Sequence, residues 1–117
     1  MIPLKQLITY CRKLPHITED IKWETNLVFS IGGKMFAVFD NDKLLSFSCK
    51  ADPAEFPRLI NMPGIIPAPY LARHHWVYMQ RDANLPTAFL KELLSESYQL
   101  VREKLSRSVQ AKLKGGK

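Results

Sequence analysis

Between Ile21 and Lys50 the chain carries three short apolar segments in strand rhythm. Leu27, Phe29 and Ile31 alternate with Val28 and Ser30, Met35-Phe36-Ala37-Val38-Phe39 is apolar throughout, and Leu45, Phe47 and Cys49 alternate with Ser46 and Ser48. Side chains of a strand alternate between its two faces, so a period of two marks β structure. Gly32-Gly33 and Asp40-Asn41-Asp42-Lys43 supply the turns. The spacing therefore predicts a three-stranded meander with the all-apolar strand in the centre and half-exposed neighbours.

Amphipathic segments at both ends of the chain are placed to shield that ribbon. Leu4, Leu7, Ile8, Cys11 and Leu14 recur at helical spacing, with Pro3 in the first turn and Pro15 as the stop. Phe89, Leu90, Leu93, Leu94, Ser97, Leu100, Val101 and Leu105 form a longer apolar face after Asn84-Leu85-Pro86. Between the two, Asp52-Pro53-Ala54-Glu55 has the form of a capping box opening a helix of about two turns, which Pro57 and Met62-Pro63-Gly64 keep short. Pro67 and Pro69 force extended backbone, and Trp76 to Gln80 reads as a further strand pairing with the meander. Trp76 and Tyr78 share one face and are expected in the core, as is Trp23. The whole is one α+β domain over residues 1–107, followed by a basic tail, 108–117, expected to be disordered.

Charge is the composition fact that bears on partners. The 117 residues have a formal net charge of +6. Residues 1–101 hold 11 Lys or Arg against 10 Asp or Glu, whereas 102–117 hold 6 against Glu103 alone. The body is nearly neutral and the tail is basic. Cys11 and Cys49 each sit in apolar surroundings, as reduced buried thiols do in a cytoplasmic protein. No apolar stretch approaches the roughly 20 residues that span a bilayer, and the N-terminal residues have no leader pattern, so a membrane partner is not expected.

Gly32-Gly33-Lys34 lies between two strands rather than before a helix, which favours a hairpin over a phosphate loop. His74 and His75 adjoin on an expected strand and point apart, so they are not read as ligands of one ion. No nucleophile motif is present, and neither a catalytic residue, a metal site nor a cofactor is assigned. Arg73-His74-His75-Trp76, with Tyr70 before it and Arg81 beyond, interleaves cations with aromatic rings as a nucleic-acid surface does. Against it stands the plainer reading of core aromatics with ordinary surface charges.

Gly33-Lys34-Met35-Phe36-Ala37, Pro67-Ala68-Pro69-Tyr70-Leu71-Ala72-Arg73 leading to Trp76-Val77, and Ser97-Tyr98-Gln99-Leu100-Val101 together resemble the MmcQ/YjbR family, in order, over nearly the whole chain. The resemblance implies a CyaY-like, frataxin-like fold: a two-layer sandwich in which an antiparallel sheet is covered on one face by the first and last helices. It also implies DNA binding through a double-wing arrangement. Many members carry Asn-Lys where this chain has Ala72-Arg73, so the cation is kept and the amide is not. Iron binding does not transfer, because no Asp or Glu lies between Met1 and Leu14.

The expected function is that of a small, non-catalytic DNA-binding protein, favoured as a monomer, with Lys34, Lys43, Lys50, Arg73, His74, His75 and Arg81 meeting phosphates. The alternative is a protein-interaction or small-ligand module using the sheet face or the Pro67–Trp76 loop.

Overall fold

In the computed structural model, which describes residues 2–23, 25–40, 46–69 and 71–115, the predicted ribbon forms the middle of a six-stranded antiparallel sheet. The strands are β1 (Ile17–Lys22), β2 (Asn26–Ile31), β3 (Lys34–Asp40), β4 (Ser46–Lys50), β5 (Ile65–Pro67) and β6 (Trp76–Met79), in spatial order β1-β2-β3-β4-β6-β5. Helices α1 (Leu4–Arg12) and α3 (Thr87–Glu103) lie together on one face, α2 (Phe56–Leu59) is a single turn before β5, and α4 (Arg107–Gly115) follows α3. Sheet and terminal helices thus form the expected α+β two-layer arrangement.

Glycine makes the β2–β3 hairpin possible. Gly32 and Gly33 take φ of 58° and 81°, the left-handed region that a two-residue turn needs and that L side chains avoid. At Gly32 space matters as well as φ: a Cβ would come within 2.6 Å of Leu105 Cδ1.

On the helix side, Leu27, Phe29 and Ile31 of β2, Phe36, Ala37 and Phe39 of β3, Phe47 and Cys49 of β4 and Val77 and Met79 of β6 meet Leu7, Cys11, Leu90, Leu94 and Tyr98. The rings interlock, with Phe29 edge-on to Phe39 and Phe36 edge-on to Tyr98. Each fully buried Phe contributes about 2–3 kcal/mol by removal from water. A register shift between Phe29 and Ser30 sets Ala37 opposite Phe29 and Met35 opposite Ser30. Phe36 is therefore the extra residue of a bulge, and it reaches the same core as Ala37.

Ser97 of α3 closes the gap that this leaves. Its Oγ donates to the Phe36 carbonyl at 2.6 Å and accepts the Lys50 amide at 2.9 Å. The nearest register pair is Ala37 with Cys49, so these two backbone groups lie just beyond the β3–β4 ladder and one buried hydroxyl satisfies both.

Four expectations are corrected here. β2 and β4 are not half exposed: Val28, Ser30, Ser46 and Ser48 are buried as well, because the second face of the sheet has its own cover. β1 is a strand that the sequence reading lacks, since among its described residues only Ile17 packs on the core and Ile21 is exposed. The predicted capping box is half formed. Asp52 Oδ1 accepts the Ala54 amide at 2.8 Å, but Glu55 turns to Arg58 instead of back to its cap. Finally, the tail is helical over Arg107–Gly115, because Val109 and Leu113, four residues apart, pack against the core and Gln110 bonds the Leu105 carbonyl at 2.7 Å.

Candidate functional site: a groove on the second sheet face

On the face opposite the helices, Val28 and Val38 form a floor with Trp76 and Ala68. The period of two puts Met35, Ser48 and Tyr78 on this side as well. The segment after β5 folds over part of it. Ala68 donates its amide to the Trp76 carbonyl at 3.0 Å, Trp76 returns to the Leu71 carbonyl at 3.3 Å, and the 3-10 turn Ala72–His74 ends at His75 in the left-handed region. Ala68 and Leu71 are thereby pressed onto the sheet.

Between that cover and the β1–β2 connection lies a groove of about 680 Å³, with Met35, Val38, Ser48 and Tyr78 as its floor, Ile66, Ala68, Pro69 and Leu71 along one side and Trp23 with Asn26 on the other. The volume is that of a pocket for a small organic molecule. Trp23, expected in the core, is instead 63% exposed. Its φ of 50° turns the chain between β1 and β2, and the indole borders the groove mouth.

The polar end of the groove is made by Asp40 and Tyr78. The Tyr78 hydroxyl donates to Asp40 Oδ2 at 3.1 Å across the intervening strand β4. Burial above all raises the phenol's pKa over its ordinary value; the nearby Ser46 hydroxyl opposes this and the Asp40 carboxylate adds to it. Ser46 Oγ is fully buried and has no hydrogen-bond partner of acceptable geometry among the described residues. The described lining includes no Lys, Arg or His.

The cations expected to meet phosphate divide between the two ends of the sheet. Lys34 opens β3, Lys50 closes β4, and Lys50 is paired with Trp76, directly after Arg73, His74 and His75. These five share one end, and Lys104 stands near enough to Lys50 to lower its pKa further, after burial. Arg81 follows Met79, which pairs with Phe47, so it lies at the opposite end. Lys43 and Tyr70 lie outside the described residues. Lys34, Arg73 and His74 are exposed. Lys50 and His75 have structural work: Lys50 Nζ donates to the His74 carbonyl at 3.3 Å, and the His75 ring stands edge-on to Phe56 at 5.4 Å. His74 and His75 sit on a turn, not a strand, because the backbone reverses at His75 before β6 begins.

Neither thiol is a site. Cys11 and Cys49 are buried and unbridged, and burial pushes the Cys11 pKa up to about 12 and that of Cys49 higher still. Among the described residues no three His, Cys, Asp or Glu side chains are placed to share a metal ion, and no helix is long and apolar enough to cross a membrane.

Comparison with known proteins agrees with this architecture. Protein DR2400 of Deinococcus radiodurans, with its DUF419 domain, superposes with a TM-score of 0.86 at 30% identity, over 97% of this chain and 89% of its own. A Pseudomonas syringae protein, at 23% identity, shares the fold with a TM-score of 0.70 over 83% of this chain and 97% of its own. In sequence, the uncharacterized protein YbdF of Escherichia coli O157:H7 is 29% identical over 93 residues, covering 76% of this chain and 75% of YbdF. The YjbR family profile matches residues 12–100, so the chain belongs to the MmcQ/YjbR family.

Proposed function

We propose that this protein is a non-catalytic binding module whose ligand is a small, largely apolar molecule held in the groove between Trp23, Val38 and Leu71. The observation that carries the reading is a concave apolar surface with an exposed Trp at its mouth and one hydrogen-bonded polar pair at its end, the composition that small-molecule sites share. Burying an aromatic ring there removes apolar surface of both partners from water. Phenylbutanol is a suitable neutral probe. Wild-type protein should bind it with a Kd at or below about 1 mM, with a change in Trp emission that Trp23→Phe abolishes. Lack of binding at several millimolar ligand counts against the reading.

A second reading, weak contact with the DNA backbone, is favoured by the meeting of Lys34, Arg73 and His74 at one sheet end, with Lys50 and Lys104 beside them. It is weakened by the neighbouring cleft, where Asp52, Glu92, Glu96 and Glu103 line the outer side of α3 and repel phosphate. Binding of this kind falls steeply with salt and uses a different surface from the groove.

A further inference from the structure

The fold leaves one edge of the sheet open. β1 is its outermost strand and, among the described residues, pairs with β2 alone. Thr18 to Lys22 are all exposed, and Ile21, at 60%, joins Trp23 as an exposed large apolar side chain at the end of this strand. An edge strand presents a row of unpaired backbone N–H and C=O groups, and one that also exposes apolar side chains is a template for another strand.

The charges along the edge indicate which strand that is. Across the β1–β2 ladder Asp20 faces Val28 and Lys22 faces Asn26, so neither meets an opposite charge there. Among the described residues neither forms an ion pair within the chain, whereas Glu19 is held by Arg12 from the end of α1. By the period of two, Asp20 and Lys22 share the groove face of the sheet with Val28, and Glu19 and Ile21 share the helix face with Phe29.

Two copies of β1 related by a two-fold axis normal to the sheet run antiparallel with like faces aligned, so each register is centred on one residue facing itself. Centred on Glu19 or on Asp20, the pairing opposes two like carboxylates, which is destabilising. Centred on Thr18, it leaves Ile21 and Lys22 outside the paired strands. Centred on Ile21, it opposes Ile21 to Ile21 and sets Asp20 of each copy against Lys22 of the other. This last register alone matches both the charges and the apolar surface, and it leaves the Arg12–Glu19 pair at the far half of the strand.

We propose that the occupant of the open edge is a second copy of this chain, paired antiparallel through Asp20, Ile21 and Lys22 so that two sheets become one. Backbone bonds and Ile21 supply the attraction, and the two Asp20–Lys22 pairs set the register. Neither this contact nor its test involves a ligand in the groove.

The paired segment is short, which makes the contact a small, transient one. Sedimentation of the full-length protein between about 10 µM and 1 mM should show a reversible monomer–dimer equilibrium. Asp20→Lys makes the two positions both basic and Lys22→Asp makes them both acidic; each change alone should weaken self-association about tenfold or more. Mixed in equal amounts, the two variants should pair with each other to within about threefold of wild type, and a chain carrying both changes should pair with itself equally well. Both side chains are exposed, so neither change disturbs the core. A chain that stays monomeric at about 1 mM overturns the proposal, as does association that the single changes leave intact or that neither the mixture nor the double variant restores.

Discussion

The Tyr78 hydroxyl donates to Asp40 Oδ2 at 3.1 Å, joining β6 to β3 across β4 on the face that the helices leave open. The bond ties the polar end of the groove to the sheet centre instead of to a loop. Tyr78→Phe removes one partly buried hydrogen bond and little packing. A loss of about 1 kcal/mol in urea unfolding is expected, with the fold unchanged.

Ser97 is a sharper test of the architecture. Its hydroxyl serves the Phe36 carbonyl and the Lys50 amide together, so Ser97→Ala strands two backbone groups by the loss of one oxygen. Each stranded group costs about 1–3 kcal/mol, and a destabilisation of roughly 2–4 kcal/mol is expected. Chemical denaturation measures it, and a change below about 1 kcal/mol would show that water or a local shift replaces the serine.

Gly32 should tolerate no side chain. Gly32→Ala meets both a positive φ and the Leu105 side chain, with Val109 just beyond at 3.1 Å. A loss of roughly 1–3 kcal/mol is expected. Because Leu105 and Val109 flank the α3–α4 junction, faster amide exchange in Arg107–Leu113 should accompany it. Gly33→Ala has open space and should cost less, through φ alone.

The buried thiols predict a pH dependence. Cys11 is shifted from the ordinary 9.0 to about 12 and Cys49 beyond it, so the folded state holds protons that the unfolded state releases. Their contribution is complete below about pH 9 and declines above it, by up to about 1.4 kcal/mol per pH unit for each thiol, until the folded-state pKa is reached. Urea midpoints at pH 8 and pH 10 measure the decline, and Cys11→Ala should make it shallower. At neutral pH a thiol reagent should modify neither residue faster than the protein unfolds.

For the second reading, duplex DNA should be bound detectably at about 50 mM salt and much more weakly at 200 mM. Lys34→Ala with Arg73→Ala should lower the slope of log K against log salt by about 2, whereas Arg81→Ala, at the other sheet end, should leave it nearly unchanged. A salt slope insensitive to the paired substitution removes the basic end as the contact surface.

Some of this molecule is written plainly in its residues. The alternation in β2 and β4, the Gly32-Gly33 turn and the apolar stripe of α3 each report local geometry, and local geometry is what a period of two or 3.6 encodes. The uniformly apolar run of β3 does not show which residue faces where, so the Phe36 bulge was hidden. β1 carries too little apolar signal, since backbone pairing to β2 holds it more than burial does. The groove itself leaves no local signature in the sequence beyond an exposed sheet face and the Pro67–Trp76 loop. It arises when β5–β6 pairing carries Ala68 and Leu71 back over Val38, and no spacing along the chain records that meeting. The exposure of Trp23 is hidden for a related reason: large apolar side chains are usually buried, and its positive φ at the β1–β2 connection is a tertiary outcome. The cations were visible one by one, but the strand register alone separates Arg81 from Lys34 and Arg73.

Amide and indole chemical shifts recorded during a phenylbutanol titration test the groove most directly, because they report where the ligand sits as well as whether it binds. Saturable shifts concentrated at Trp23, Val38, Ser48, Leu71 and Tyr78, with α1 and α3 unmoved, are the expected result. Shifts spread over the helices, or none at millimolar ligand, would contradict a binding site on this face.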